Sequence, residues 1–233
     1  MAIRDEKFAA AQILIDSEEV DVNMGGGIYG SPLHLAVVKL EIWLIKALIK
    51  KGADVNKTDC DGKTALHFVM NLFSKNPQKC QYIAETLVLN GAKPNLKDTD
   101  NWTPLHTAVR KGQDRGVAAI AKLNKLLMDK EKFDMNATGG VHKWTALHLA
   151  AHGGHLNIVR ELLRAGADIF QRNTNNQLPR HCAKGNYILT KFIKMAEQSR
   201  TSVLYNSYFI GNQFQLIRGL TMRKPNESKS STN

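Results

Sequence analysis

Histidine is the residue type in this sequence with the most capacity for acid–base or metal chemistry, and the chain contains eight of them. Five share a recurring tetrad, and these are His34, His67, His106, His148 and His181. His152 and His155 are three residues apart, but no carboxylate or cysteine completes the three or four ligands that a metal site requires. The three cysteines, at positions 60, 80 and 182, have no metal-like spacing either. Because no nucleophile–base pattern or carboxylate pair stands out, we expect no catalytic residue, metal or cofactor, and the protein is not predicted to be an enzyme.

The tetrad that carries the histidines divides the chain into units. Its copies are Ser31-Pro32-Leu33-His34, Thr64-Ala65-Leu66-His67, Thr103-Pro104-Leu105-His106, Thr145-Ala146-Leu147-His148 and a degenerate Leu178-Pro179-Arg180-His181. They start 33, 39, 42 and 33 residues apart. Asn23, Asn56 and Asn95 each lie 8 residues before the next tetrad, whereas Asn136 lies 9 before, so one connecting hairpin carries an extra residue. A period near 33 residues with this tetrad closely resembles the ankyrin repeat family.

The resemblance implies an all-α repeat protein, an α-solenoid of helix-turn-helix units that are joined by β-hairpin loops. It covers residues 25–200, and residues 145–168, which read TALHLAAHGGHLNIVRELLRAGAD, are its clearest copy. In this family the tetrad histidines link neighbouring loops by hydrogen bonds, which gives them a structural role. Asn56, Asn95 and Asn136 match a hairpin position that some ankyrin repeats offer to an asparaginyl oxygenase, although asparagine there also satisfies turn backbone groups.

Two flanking segments depart from the repeat pattern. Residues 1–24 are predicted to form a partial N-terminal repeat or cap. Residues 201–233 form a C-terminal extension, of which 223–233 is predicted to be disordered. The formal net charge is +11, and most of the excess lies after residue 171, where 10 Lys and Arg accompany 2 acidic residues. A basic end favours encounter with acidic partners without choosing among them.

Two units exceed the regular length. Six extra residues in the unit from Thr64 include the polar run 74–79, which predicts an insertion between the two helices, with Pro77 opening the second. In the unit from Thr103 the helical apolar pattern continues, which predicts a second helix lengthened by about two turns. The charged residues of this stretch are Lys122, Lys125, Asp129, Lys130, Glu131 and Lys132. They form either a solvated face or a second docking ridge on the convex side.

The resemblance also implies which side chains face the concave groove, namely the residue before each tetrad and the pair after the first helix. On that basis the predicted partner-binding residues are Lys63, Trp102, Trp144, Arg110, Lys111, Lys143 and His152. The two tryptophans are either groove anchors, a role in which tryptophan is over-represented, or packing residues that lie flat against the neighbouring hairpin. An aromatic groove with a basic rim suits a peptide that carries acidic side chains.

The function predicted first is therefore a non-enzymatic protein–protein interaction module or adaptor. An alternative is a structural subunit that is anchored in a large assembly through its C-terminal extension, whose predicted docking residues are Tyr205, Tyr208, Phe209, Phe214 and Arg218. A weaker alternative is a regulatory or targeting subunit of an enzyme. Nucleic acid is a disfavoured partner, since no nucleic-acid module is recognisable.

The sequence also predicts where the protein works. No apolar run reaches the ~18 residues of a membrane span, and no signal peptide is visible at the N-terminus. Sparse cysteines in an odd number suit reduced thiols. We therefore expect a cytoplasmic protein that is not secreted. A nuclear location is the alternative.

Overall fold

The structure, a computed structural model, describes residues 17, 20–25, 30–127 and 131–201. The predicted N-terminal repeat at 1–24 lies mostly outside these residues, and the C-terminal extension lies outside them except for position 201. The helices are α1 (Pro32–Lys39), α2 (Ile42–Lys50), α3 (Ala65–Leu72), α4 (Pro77–Leu89), α5 (Pro104–Arg110), α6 (Asp114–Leu126), α7 (Ala146–His152), α8 (Leu156–Arg164), a 3₁₀ helix (Pro179–Cys182) and α9 (Tyr187–Thr201). Two short strands, β1 (Thr138–Gly139) and β2 (Trp144–Thr145), pair antiparallel.

The helices stack in two layers, as the repeat pattern predicts. The inner helices α1, α3, α5 and α7 pack side by side, and the outer helices α2, α4, α6 and α8 form a second row behind them. Leucine, isoleucine, valine and alanine side chains from both rows form one continuous core, in which Leu66, Leu105 and Ile120 are essentially inaccessible to solvent. Each repeat covers its apolar face against its neighbours, which is the packing mode of solenoid proteins.

Each inner helix begins at its tetrad because the tetrad caps it. Ser31, Thr64, Thr103 and Thr145 are the N-cap residues in extended conformation, and their hydroxyl groups contact the Nδ1 atoms of the tetrad histidines at 2.8–2.9 Å. The same Nδ1 atoms accept the N-cap backbone N–H groups. At Thr103 and Thr145 the hydroxyl group also accepts the backbone N–H of the tetrad histidine, so two of the unpaired N–H groups at those helix starts are satisfied locally.

The second histidine nitrogen joins one repeat to the next, as the family resemblance implied. The Nε2 atoms of His34, His67, His106 and His148 lie 3.0–3.1 Å from the carbonyl oxygens of Lys63, Trp102, Trp144 and Gln177, respectively. A carbonyl oxygen can only accept, so Nε2 carries the proton, and Nδ1 carries none because it accepts the N-cap N–H. The ring is therefore neutral. The histidines are therefore structural links.

The hairpin asparagines have backbone partners in the following repeat. The Asn56 amide donates to the Gly91 carbonyl at 3.0 Å and accepts from the Lys93 N–H at 2.7 Å. Asn136 accepts from the Asp168 N–H at 2.6 Å. These bonds give the asparagines the turn-satisfying role, whereas their hydroxylation stays a prediction.

The extra residues fall partly where the sequence predicted and partly elsewhere. Pro77 does open α4, with the Asn76 side chain accepting from the Lys79 N–H. The insertion is not confined to the loop, however, because α4 has 13 residues where the regular α2 has 9. Four of the six extra residues therefore lengthen the helix, since the run after Pro77 packs its apolar positions against the core.

The prediction that the second helix of the next unit grows by about two turns is wrong. Helix α6 has 13 residues and ends at Leu126, so it is longer than α2 by about one turn. The Asn124 side chain accepts from the Phe133 N–H at 2.8 Å and donates to the Phe133 carbonyl. This bridge holds the buried Phe133 beside the helix end, so Lys132 lies beyond α6, and residues 128–130 are outside the described part.

The last repeat is shortened. Leu178 replaces the capping Thr and has no side-chain acceptor for the first turn, and the inner helix is reduced to four residues of 3₁₀ helix. Arg180 forms an ion pair with the buried Glu197 of α9. Lys184 and Lys191 are exposed, as expected for a terminal repeat whose outer face meets water.

The tetrad histidines predict a specific acid sensitivity. Burial lowers their pKa values, and that of His106 falls to about 4. The unfolded chain takes up these protons below pH ~6.5, so the free energy of unfolding falls as the pH drops from 6.5 towards 4. For His106 alone we expect a loss of about 2 kcal/mol between pH 7 and pH 5, measured by urea denaturation.

The matched control is His106→Gln, which keeps an amide near the carbonyl but cannot titrate. We expect this variant to be less stable at pH 7 and to lose less stability on acidification. An unchanged pH slope in His106→Gln would show that this ring is not responsible.

Candidate protein-binding groove

The histidine links hold the backbone of residues whose side chains are predicted to face a partner. The carbonyl groups that the histidines bind belong to Lys63, Trp102, Trp144 and Gln177, the residues that precede the tetrads. Because these carbonyls point into the repeat stack, their residues are held at the base of each hairpin. We call the surface formed by the hairpins and the exposed residues of the inner helices the inner groove.

Trp102 is packed between its own repeat and the next hairpin. A Cβ atom on Gly139 would lie 2.5 Å from its ring atom Cε3, and one on Gly140 would lie 2.4 Å from Cζ2. Its ring is tilted against His106 at 5.2 Å, and the Arg110 guanidinium lies 5.2 Å from the ring centroid. Trp102 therefore contacts the neighbouring hairpin and also carries a cation on its face.

Trp144 has a comparable position one repeat further on. Its ring centroid lies 5.0 Å from His152 and 6.2 Å from His142, and the half-buried ring packs on the core. Its indole Nε1 is buried without a hydrogen-bond partner. Burial, together with the nearby charge of Lys184, lowers the pKa of His152. Each tryptophan thus pairs with the side chain eight positions later, Arg110 or His152.

Lys63 lies in a cleft of the inner groove with a volume of about 490 Å³. The cleft also contains Arg110 and Lys111 from the end of α5. Unlike the basic rim that the sequence suggested, Lys63 is paired with Asp61 at 2.7 Å. That bond raises the pKa of Lys63 and lowers the pKa of the Asp61 carboxyl. The charge of Lys63 is therefore already balanced within the molecule.

Four aspartates line the same cleft and were missed from the sequence. They are Asp59, Asp61, Asp98 and Asp100. Two of them are turn residues, since the Oδ1 atoms of Asp59 and Asp98 each accept two backbone N–H groups of their own hairpins. Asp61 and Asp100 are exposed. The recurrence of Asp-x-Asp at positions 59 and 98, 39 residues apart like the two tetrads, is the signal that could have found them.

The later hairpins differ in charge from the earlier ones. The exposed tip at 140–143 has neutral and basic residues in place of the aspartates, including Lys143 with a backbone φ of +49°. Arg110, Lys111 and Lys184 occupy comparable positions in their repeats, and all three are exposed. The inner groove thus carries carboxylates on the hairpins at 59–61 and 98–100, and cations from the end of α5 onwards.

The structure does not bring the cysteines together. Cys60 is exposed, while Cys80 and Cys182 are buried, and burial raises the pKa of Cys80 to about 11. Within the described ranges no group of three His, Cys, Asp or Glu side chains could hold a metal ion. No helix among those residues is long and apolar enough to cross a membrane. The predicted docking residues Tyr205, Tyr208, Phe209, Phe214 and Arg218 lie outside the described part of the chain.

The packing of Trp102 on Gly140 is testable by a double-mutant cycle. Gly140 has a φ of +67° and its missing Cβ would overlap the Trp102 ring. We expect Gly140→Ala to lower the free energy of unfolding by about 2 kcal/mol or more, and by only about 1 kcal/mol when Trp102 is already alanine. Gly52→Ala is the control, because Gly52 also has positive φ but no atom within 4 Å of the added Cβ. Additive effects at positions 102 and 140 would contradict the packing.

Known proteins share this repeat. A model for ankyrin repeats (3 copies) matches residues 74–173 and 116–197, and a model for a single ankyrin repeat matches residues 30–60. A putative palmitoyltransferase ZDHHC13 of Danio rerio is 30% identical over 65% of this chain and 22% of its own length. Inversin of Canis lupus familiaris is 31% identical over 66% of this chain and 13% of its own length.

A third relative is the transient receptor potential cation channel subfamily A member 1 of Homo sapiens, which is 28% identical over 73% of this chain. The match covers 18% of that protein, so the chain spans less than a quarter of the length of each of these three relatives. The matched repeats, the two helix layers and the tetrad links together show that this chain belongs to the ankyrin repeat family.

Proposed function

We propose that this protein binds a segment of a partner protein in the inner groove and acts as an adaptor. The observation that carries the proposal is the exposed Arg110 guanidinium, which lies over the Trp102 ring in a groove that continues past it. An aromatic face with a cation combines apolar contact area with charge recognition, as at many protein interfaces. Ankyrin repeats generally mediate protein–protein interaction, and the present repeats occur in relatives with unrelated names.

The groove favours a partner segment with unequal charge along its length. Arg110, Lys111 and Lys143 are exposed and form none of the described ion pairs, so acidic side chains of a partner gain attraction there. The carboxylates of Asp61 and Asp100 also line this cleft. We therefore infer an acidic segment with one basic residue at the end that contacts the hairpins at 59–61 and 98–100.

The repeat stack lowers the cost of such binding. The groove side chains sit on hairpins whose backbones are held by the histidine bonds at 3.0–3.1 Å. A preformed surface needs little ordering when a partner binds. The alternative roles, anchoring through the C-terminal extension and regulation of an enzyme, stay predictions from the sequence.

The test uses the full chain and a display library of short peptides. We expect selected peptides to be rich in Asp and Glu, and Arg110→Glu with Lys111→Glu to weaken their binding at least tenfold, or about 1.4 kcal/mol. The control, Lys125→Glu with Lys132→Glu, makes the same change in net charge at exposed positions outside the groove. Equal weakening by both pairs, or selection of basic peptides, would refute the proposal.

The predicted direction of the segment has its own test. A selected acidic peptide is compared with the same peptide extended by one lysine at either end, with fluorescence anisotropy as the measurement. We expect one of the two extensions to strengthen binding, and Asp100→Asn to remove that gain, because a carboxylate opposite the lysine is lost. If neither end responds to Asp100→Asn, the bound segment has no such orientation.

A further inference from the structure

A second concave site lies between the two lengthened outer helices, α4 and α6. It has a volume of about 320 Å³, near the lower end of the ~300–1,000 Å³ that is typical of ligand pockets. Its floor is apolar, with Phe73, Pro77, Ala118 and Ala119, and its rim carries Arg115 and Lys122. None of the residues that line the inner-groove cleft takes part. We call this site the outer cleft.

The extra residues of the unit from Thr64 build one wall of the outer cleft, and the first nine residues of α6 build the other. The loop between α3 and α4 is two residues longer than that between α1 and α2 and contains Phe73, which is only 1% exposed. Phe73 packs over Gly116 of α6, where an added Cβ would lie 3.4 Å from its ring atoms. Pro77 starts the lengthened α4 at the edge of the site. The regular outer helices α2 and α8 lack these additional turns.

The outer cleft combines two cations with an apolar strip. Arg115, Ala118 and Lys122 are spaced i, i+3 and i+7 on α6, so they share one helix face, and the two cations are about 10 Å apart along the axis. Both are exposed, and neither takes part in a described ion pair or side-chain hydrogen bond. Gln78 and Gln81 of α4 line the opposite wall.

Acidic groups surround the outer cleft but do not line it. Glu85 lies one turn further along α4 and accepts from the Gln81 amide at 3.0 Å. Asp114 accepts from the Asn157 amide at 3.3 Å, on the side towards α8. Among the described residues, every charged side chain that lines the cleft is a cation. The charges of Arg115 and Lys122 are therefore available to an external anion.

We propose that the outer cleft is a second protein-docking site, which takes an acidic segment with an apolar side chain between two carboxylates. In an extended chain the side chains at positions i, i+2 and i+4 share one face. Acidic side chains at i and i+4 lie ~13 Å apart at ~3.3 Å per residue, a span that the long side chains of Arg115 and Lys122 can reach, and the apolar side chain at i+2 then lies between them. The apolar floor between the cations gives the intervening side chain a place to leave water. This proposal stands independently of the inner groove, because the two sites have no lining residue in common.

The experiment measures binding of labelled synthetic peptides to the full chain by fluorescence anisotropy at physiological salt. One peptide series places leucine between glutamates, and a matched series places serine there. Arg115→Glu with Lys122→Glu removes the cations, and Ala118→Trp fills the cleft without changing charge. Lys125→Glu with Lys132→Glu is the charge-matched control outside the cleft, and circular dichroism verifies that each variant is folded.

We expect the leucine series to bind the wild type, with affinity reduced at least tenfold by the two cleft variants and in the serine series. The Lys125 and Lys132 control and the Arg110→Glu, Lys111→Glu variant should leave it unchanged, which separates this site from the proposed inner groove. Equal loss in the control, or a Kd weaker than about 1 mM for every leucine peptide, overturns the proposal. Cleft-dependent binding of an RNA oligomer or of phosphatidylserine vesicles in place of the peptides overturns the partner class.

Discussion

The bond from each tetrad histidine to the carbonyl group of the following hairpin is the interaction on which the rest of this structure depends. It occurs four times at 3.0–3.1 Å, always with a neutral ring whose Nδ1 caps its own helix. One side chain therefore starts a helix, joins two repeats and fixes the backbone of the residue that faces the inner groove. The stack and the groove share a single cause, because a hairpin that lost this bond would no longer hold Trp102 or Trp144 in place.

The last repeat shows the structure that results when the tetrad histidine does not bond to the carbonyl group of a following hairpin. His181 still accepts from the Leu178 N–H, but the described chain offers no further hairpin carbonyl, and Nε2 is contacted by the Arg180 side chain instead. Leu178 has no hydroxyl group with which to cap, and the inner helix contracts to Pro179–Cys182. The ion pair of Arg180 with Glu197 then ties this short element to α9. The regular stack thus ends at a degenerate tetrad, which lacks the capping hydroxyl group.

Apolar periodicity and the Pro77 signal are local properties, so the sequence predicted the helix layers and the start of α4 well. The tetrad links were implied by the family resemblance, and the structure contains them. The sequence predicted the length of α6 poorly, because the bridge between Asn124 and Phe133 joins residues nine apart and leaves no periodic trace. The sequence did not predict the four aspartates that line the cleft of the inner groove. The approach of Trp102 to Gly139 and Gly140 depends on how adjacent hairpins meet, which no single repeat encodes.

The same logic explains how one chain can present two distinct surfaces. The histidine bonds constrain the hairpins and the inner helices. The outer helices carry none of these bonds, and α4 accommodates a longer preceding loop at 73–76 and four additional helical residues within the same stack. Phe73 and Gly116 pack the insertion against the core, while Arg115 and Lys122 remain at its edge. The inner-groove cleft and the outer cleft therefore have no lining residue in common.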